Sequence, residues 1–178
     1  MSAPVSPEYL IISASLRSSS LSRAMAETLR GEYAIRSVPH QLIDLREFTL
    51  PLCDGEAAYG HPHVKTLSAL VEAARVVVLA TPIYNYDANA AAKNLVELTG
   101  GAWEDKTVGF LCAAGGGSSY MSIMGLANSL MLDFRCLIIP RFVYAKGDDF
   151  TDEKRPTPDL AGRIAALAEV SIKIRNAV

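Results

Sequence analysis

Apolar residues in this chain come in two alternating textures. Compact apolar runs lie within residues 9–12, 75–80 and 107–113, while the stretches between them repeat apolar residues every three or four positions. A short unbroken run marks a strand buried on both faces, and the three-to-four spacing marks a helix with one buried stripe. The pattern predicts strands over 9–12, 38–45, 75–80, 107–113 and 135–144, with Cys136, Leu137, Ile138 and Ile139 as the buried part of the last. Helices are predicted over 21–33, where Leu21, Met25, Thr28 and Leu29 share a face, and over 64–74, 90–99 and 159–175. A further helix runs to residue 132, with Ser118 or Ser119 as its N-cap. Pro82 is expected to stop the third strand, and Gly100-Gly101 to close the helix before it. Strands separated by helices imply an α/β fold, a doubly wound parallel sheet with helices on both faces. Ligands in such folds bind at the carboxyl ends of the strands.

Composition narrows the function classes. With 178 residues, half of them hydrophobic and 20% charged, the chain buries a substantial core and is read as a single domain over 1–178. Lys and Arg number 17 against 19 Asp and Glu, so no basic face is available for nucleic acid. No apolar run approaches the roughly 20 residues of a bilayer span, and no basic segment precedes the first apolar run as in a signal peptide. A cytoplasmic location, with no membrane partner, is therefore expected. Cys53, Cys112 and Cys136 are widely spaced, and Cys112 and Cys136 sit in apolar runs, as buried thiols do.

The chemistry is concentrated in three loops that follow predicted strands. Residues 13–20 hold five serines and Arg17 just before a helix, whose first N–H groups and partial positive charge suit a phosphate. Capping and turn formation account for the same serines. Thr81-Pro82-Ile83-Tyr84-Asn85-Tyr86 combines a rigid proline with two aromatics and an amide, suited to the edge of a planar heterocycle or to an ordinary turn. The third, Ala113-Ala114-Gly115-Gly116-Gly117-Ser118-Ser119-Tyr120, permits close backbone approach to a ligand, or serves as a flexible turn and helix cap. Neither G-x-G-x-x-G nor a P-loop is present.

Together these segments resemble the NADPH-dependent FMN reductase family of the flavodoxin-like fold. The family's G-S-x-R-x-x-S is met by Ala14-Ser15-Leu16-Arg17-Ser18-Ser19-Ser20, and its T-P-x-Y-N by Thr81-Pro82-Ile83-Tyr84-Asn85. Its later K-N is met by Lys93-Asn94, and its D-L…L-P-L by Asp44-Leu45 and Leu50-Pro51-Leu52. The resemblance implies a five-stranded sheet of order 2-1-3-4-5 and FMN as cofactor, with NADPH or NADH as co-substrate. It implies that Ser15, Arg17, Ser19 and Ser20 hold the phosphate. Pro82, Ile83, Tyr84 and Asn85 would meet the flavin ring, with Gly115, Gly116, Gly117 and Ser118 on its other side. Hydride would pass from nicotinamide to flavin, then electrons to a small-molecule acceptor such as free flavin, a quinone or an azo dye. No side chain is assigned as catalytic and no metal is required. A homodimer or homotetramer is expected, with the loop after Leu45 and the region 84–89, including Tyr59 and Tyr86 as exposed aromatics, facing a partner subunit.

The chain departs from the family pattern at four places: Ala14 for glycine, Ile83 for a frequent glutamate, Asp87 for serine and Asn89 for proline. An acidic Asp87 turned toward the flavin would disfavour an anionic reduced ring. The alternatives are a flavodoxin-type electron carrier and a flavin-free scaffold of the same fold. His61-Pro62-His63 lacks thiolate or carboxylate partners for a metal, and the acidic segment 148–153 reads as a solvated loop. No lysine or arginine is assigned to a 2′-phosphate.

Overall fold

The computed structural model describes residues 8–177. Strand β1 (Tyr9–Ser13) is buried throughout and pairs in parallel with β2 (His40–Asp44) on one side and β3 (Val76–Tyr84) on the other. Strand β5 (Thr107–Ala113) pairs with the far side of β3. Side chains alternate between the faces of a strand, and the central strand shows the consequence. Val76, Val78 and Ala80 join the core under α1 (Leu21–Ile35) and α5 (Pro158–Ala177). Val77 and Leu79 join the core under α2 (Pro62–Ala73), α3 (Ala90–Thr99) and α4 (Met124–Phe134). A strand covered on both faces has no place for a polar stripe, which explains its unbroken apolar sequence.

The order of the sheet, β2-β1-β3-β5 and then the last strand, matches the expected order. Two strand boundaries differ from the sequence reading. Pro82 does not end β3, which continues to Tyr84 and folds back on β4 (Asp87–Ala88) as a hairpin. By register β1 has already ended, with Ser13 opposite Ala80, so Pro82 meets no ladder acceptor on that side and its missing N–H removes no bond. The fifth strand is two pieces, β6 (Leu137–Ile138) and β7 (Val143–Ala145), separated by a segment containing Pro140. These pair with opposite ends of β5. On this edge Leu137 is 44% exposed rather than buried, whereas Cys136 and Ile139 are in the core. Arg135 is not in a strand but closes α4 in the left-handed region, with φ of 55°.

Helix α4 also begins later than expected. Gly117–Ser119 forms a short 3-10 turn, and α4 starts at Met124 with no side-chain cap, so neither Ser118 nor Ser119 caps it. The Ser119 carbonyl instead accepts from the Ser122 N–H at 3.1 Å. Among the described residues, no helix is long and apolar enough to cross a membrane. In the acidic segment 148–153, Asp148, Asp152 and Glu153 are exposed as a solvated loop requires, while Asp149 is half-buried. Asp149 pairs with Arg163 of α5 at 2.6 Å, and the same guanidinium donates to the Tyr144 carbonyl at 2.7 Å.

Candidate functional site

Three connections leave the carboxyl edge of the sheet side by side: β1 to α1, the β3–β4 hairpin, and the segment after β5. Between them lies a cleft of about 650 Å³. Its lining is Ser15, Arg17, Ser19, Ser20, Leu21 and Ser22 from the first connection, with Pro82, Ile83, Tyr84 and Asn85 from the second. Ala113, Ala114 and Gly115 come from the third.

The first wall is a helix N-terminus. Ser20 caps α1, its Oγ accepting from the Arg23 N–H at 3.2 Å and lying 2.9 Å from Ser22 Oγ. A helix leaves its first N–H groups without intrahelical acceptors, and here Leu21 and Ser22 bring them to the cleft. Arg17 is held along the rim, donating Nε to Ser19 Oγ at 3.1 Å, while its backbone N–H donates to buried Ser15 Oγ at 3.3 Å. Among the described residues, Arg17 is the sole charged one in the lining, and no carboxylate joins it there. Hydroxyls, helix N–H groups and an uncompensated guanidinium together fit the phosphate of FMN.

Behind this wall stands Asp44, 4% exposed at the end of β2. Its carboxylate accepts from Arg46 at 2.8 and 2.6 Å, from the Arg46 N–H at 3.0 Å, and pairs with Arg23 of α1. The D-L motif residue thus binds α1 to the sheet rather than facing a ligand. Lys93-Asn94 behaves similarly. Asn94 accepts from the Cys53 N–H and donates to the Pro51 carbonyl, both at 2.9 Å, pinning the loop after β2 onto α3. Lys93 pairs with Glu97 at the surface.

The second wall is the hairpin. Asn85 and Tyr86 both have positive φ, 51° and 66°, the signature of a type I′ turn, which takes Asn readily and a bulky residue only with strain. Tyr84 and Tyr86 are 54% and 57% exposed, while Pro82 and Ile83 are buried against the core. Apolar Ile83 and Pro82 beside an exposed phenol and a free amide suit a flat heterocycle with a polar edge. Asp87 is not turned into this cleft. Its carboxylate accepts from the Ala88 N–H at 2.7 Å and borders a separate cleft of about 250 Å³ with Lys93 and Ser129. It therefore supplies no negative charge to the main cleft.

The third wall is thinner than the sequence suggests. Gly115 lines the cleft, but Gly116, Gly117 and Ser118 stand outside the lining in an exposed turn, where the Gly116 carbonyl accepts from the Tyr144 hydroxyl. At none of these glycines would a Cβ meet a protein atom within 4 Å. Ala113 and Ala114, the first residues of the third loop, line the cleft beside Gly115, and Leu21 and Ser22 are lining residues outside the three predicted loops. The N-cap at Ser20 was the available signal for Leu21 and Ser22.

Other candidates are occupied structurally. His61 Nδ1 accepts from the His63 N–H at 3.2 Å, capping α2, and His63 Nδ1 accepts from the Thr49 N–H at 2.9 Å. Burial pushes the Cys112 thiol up to about 12 and the Cys136 thiol up to about 11, so both remain protonated and unreactive near neutrality.

Comparison with known proteins points to one family. The chain is 31% identical over 132 residues to an NAD(P)H-dependent FAD/FMN reductase of Geobacillus thermodenitrificans, covering 72% of this chain and 71% of that protein. It is 33% identical over 109 residues to an NADPH azoreductase of a Bacillus species, covering 60% and 61%. The solved structure of FerB, a flavoenzyme NAD(P)H:(acceptor) oxidoreductase from Paracoccus denitrificans, superposes with a TM-score of 0.73 at 18% identity, over 93% of this chain and 97% of that one. With residues 7–150 matched by the family model for NADPH-dependent FMN reductases, the chain belongs to that family of oxidoreductase enzymes.

Proposed function

We propose that this chain, acting as one flavin-binding domain, is an FMN-dependent NAD(P)H oxidoreductase that delivers electrons to a small aromatic or quinoid acceptor. The observation that carries the reading is the charge of the cleft. One wall offers Arg17, serine hydroxyls and the α1 N-terminus with no carboxylate in the lining, and the adjoining wall sets Pro82 and Ile83 beside the Tyr84 phenol and the Asn85 amide. In this reading Ser15, Arg17, Ser19 and Ser20 hold the phosphate, Pro82, Ile83, Tyr84 and Asn85 meet the ring, and Gly115 closes the far side. FMN held there would supply the redox chemistry, hydride uptake from the nicotinamide and electron release to the acceptor. The protein's part is to bind, orient and shield. The hairpin's rigid Pro82 and buried Ile83 set the plane against which the ring rests, and the exposed Tyr84 phenol leaves an aromatic surface for the second reactant.

The exposed tyrosines and the apolar groove formed by Leu16, Phe48, Leu50 and Leu52 support assembly as a homodimer or homotetramer. A cytoplasmic location follows from the same reading, since its reductant is the cellular nicotinamide pool.

The test is an absorbance spectrum after addition of FMN and desalting, followed by NADPH or NADH under anaerobic conditions. Retained yellow colour that bleaches supports the oxidoreductase. Retained colour that neither nucleotide bleaches overturns it in favour of an electron carrier. Where no flavin is retained, turnover of NADPH with excess FMN supports a reductase using FMN as substrate, and no turnover overturns the reading.

A further inference from the structure

The phosphate wall and the ring wall of the cleft come from segments distant in sequence, and beyond the end of the β1–β3 ladder a buried side chain joins them. Asn89 is 6% exposed at the start of α3. Its Nδ2 donates to the Ala14 carbonyl at 2.8 Å, at the root of the phosphate wall, and its Oδ1 accepts from Thr81 Oγ1 at 2.9 Å, at the root of the hairpin. Its backbone N–H reaches the Thr81 hydroxyl at 3.3 Å and the Pro82 carbonyl at 3.2 Å. The Ala14 peptide is held from its other end as well, its N–H donating to the Ala80 carbonyl at 2.8 Å. Two of the chain's departures from its family pattern, Ala14 and Asn89, are therefore partners in one hydrogen bond.

From this geometry we infer that Asn89 is a positioning residue that sets the chain's discrimination between phosphorylated and unphosphorylated flavin, an inference that rests on the FMN reading above. A ligand anchored at both ends gains from its phosphate only when the two walls stand at the ligand's own length. Hydrogen bonds to a phosphate weaken steeply with a misplacement of even an ångström. Asn89 also caps α3, its Oδ1 accepting from the Ala92 N–H at 3.4 Å, and it does not line the cleft, so it acts on the ligand through the spacing of Ala14 and Thr81. Riboflavin lacks the phosphate and draws only on the ring wall, so its affinity does not depend on that spacing.

The experiment measures dissociation constants of FMN and riboflavin by flavin fluorescence quenching for the wild-type chain and for Asn89→Ala. Expected is a rise in the FMN constant of at least about tenfold, the size of one lost charge-assisted contact, with riboflavin unchanged within about twofold. Equal weakening of both ligands, or of neither, overturns the inference, because a merely structural role would not separate them. A cooperative melt first establishes that the variant folds. If it does not, Thr81→Val, which removes the hydroxyl that Asn89 accepts from, is read for the same ratio, and Thr81→Ser is expected to keep it. A wild-type chain that binds FMN no better than riboflavin would sink the phosphate-site reading itself. A wild-type preference that survives in the variant sinks only the role of Asn89.

Discussion

The two sides of the cleft are built to different standards. The phosphate wall and the hairpin are braced from behind by buried polar groups. Asp44 clamps Arg23 and Arg46 behind α1, and Asn89 ties Ala14 to Thr81. The third wall has no comparable brace: its glycine turn is held by the Tyr144 hydroxyl on the Gly116 carbonyl, with Tyr120 packed on Phe142 and Tyr144. Buried polar networks with every member satisfied specify one geometry, whereas an exposed turn with few contacts adapts at little cost. The contrast teaches where precision is needed. In the proposed reading, the walls that would hold the phosphate and the ring are preorganised, and the glycine turn on the far side is not.

The largest effect is expected from breaking the brace. Asp44→Ala leaves Arg23 and Arg46 without their shared carboxylate, and a loss of about 3 kcal/mol is expected, toward the low end for a severed buried ion pair because both arginine side chains are 30% exposed. Urea or thermal unfolding measures it, as a fall in melting temperature of roughly 10 °C. Next comes Arg17→Ala, which should raise the FMN dissociation constant roughly 10- to 100-fold and leave the melting temperature nearly unchanged, since Arg17 supports ligand rather than fold. A drop in stability as large as that of Asp44→Ala would mean Arg17 belongs to the brace instead.

A smaller effect of opposite sign is expected at the hairpin tip. Tyr86 holds a left-handed φ of 66° that glycine adopts freely, so Tyr86→Gly should stabilise the fold by about 1 kcal/mol in a denaturant melt. If its exposed ring serves the acceptor, KM for an aromatic acceptor rises in the same variant while the FMN constant holds. The smallest effect is expected in the third wall, where Ser118→Ala should shift stability by under about 0.5 kcal/mol and flavin affinity by less than twofold. A loss of flavin comparable to that of Arg17→Ala would erase the difference between the walls.

Much of this was legible in the chain. The buried runs at 76–80 and 107–113 named the central strands, because a strand covered on both faces tolerates nothing else. Ser20 marked the start of α1, because its hydroxyl satisfies an N–H that the helix cannot. The boundary misreadings share one cause. Whether Pro82 ends a strand depends on what lies across from its missing N–H, and whether Ser118 caps a helix depends on where the glycine turn delivers the chain. Neither neighbour is local in sequence.

Sequence periodicity thus determined the layered α/β architecture and the edge at which the loops gather, since those follow from which residues must leave water. The resemblance of its motifs determined the family. Only the tertiary structure decided that Asp87 stands outside the cleft, that Gly116, Gly117 and Ser118 stand beyond its wall, and that Asp44 and Asn94 serve the scaffold. It alone brought Asn89 to Ala14, because a hydrogen bond is set by positions in space to within a few tenths of an ångström, and the linear spacing of two residues carries no such information.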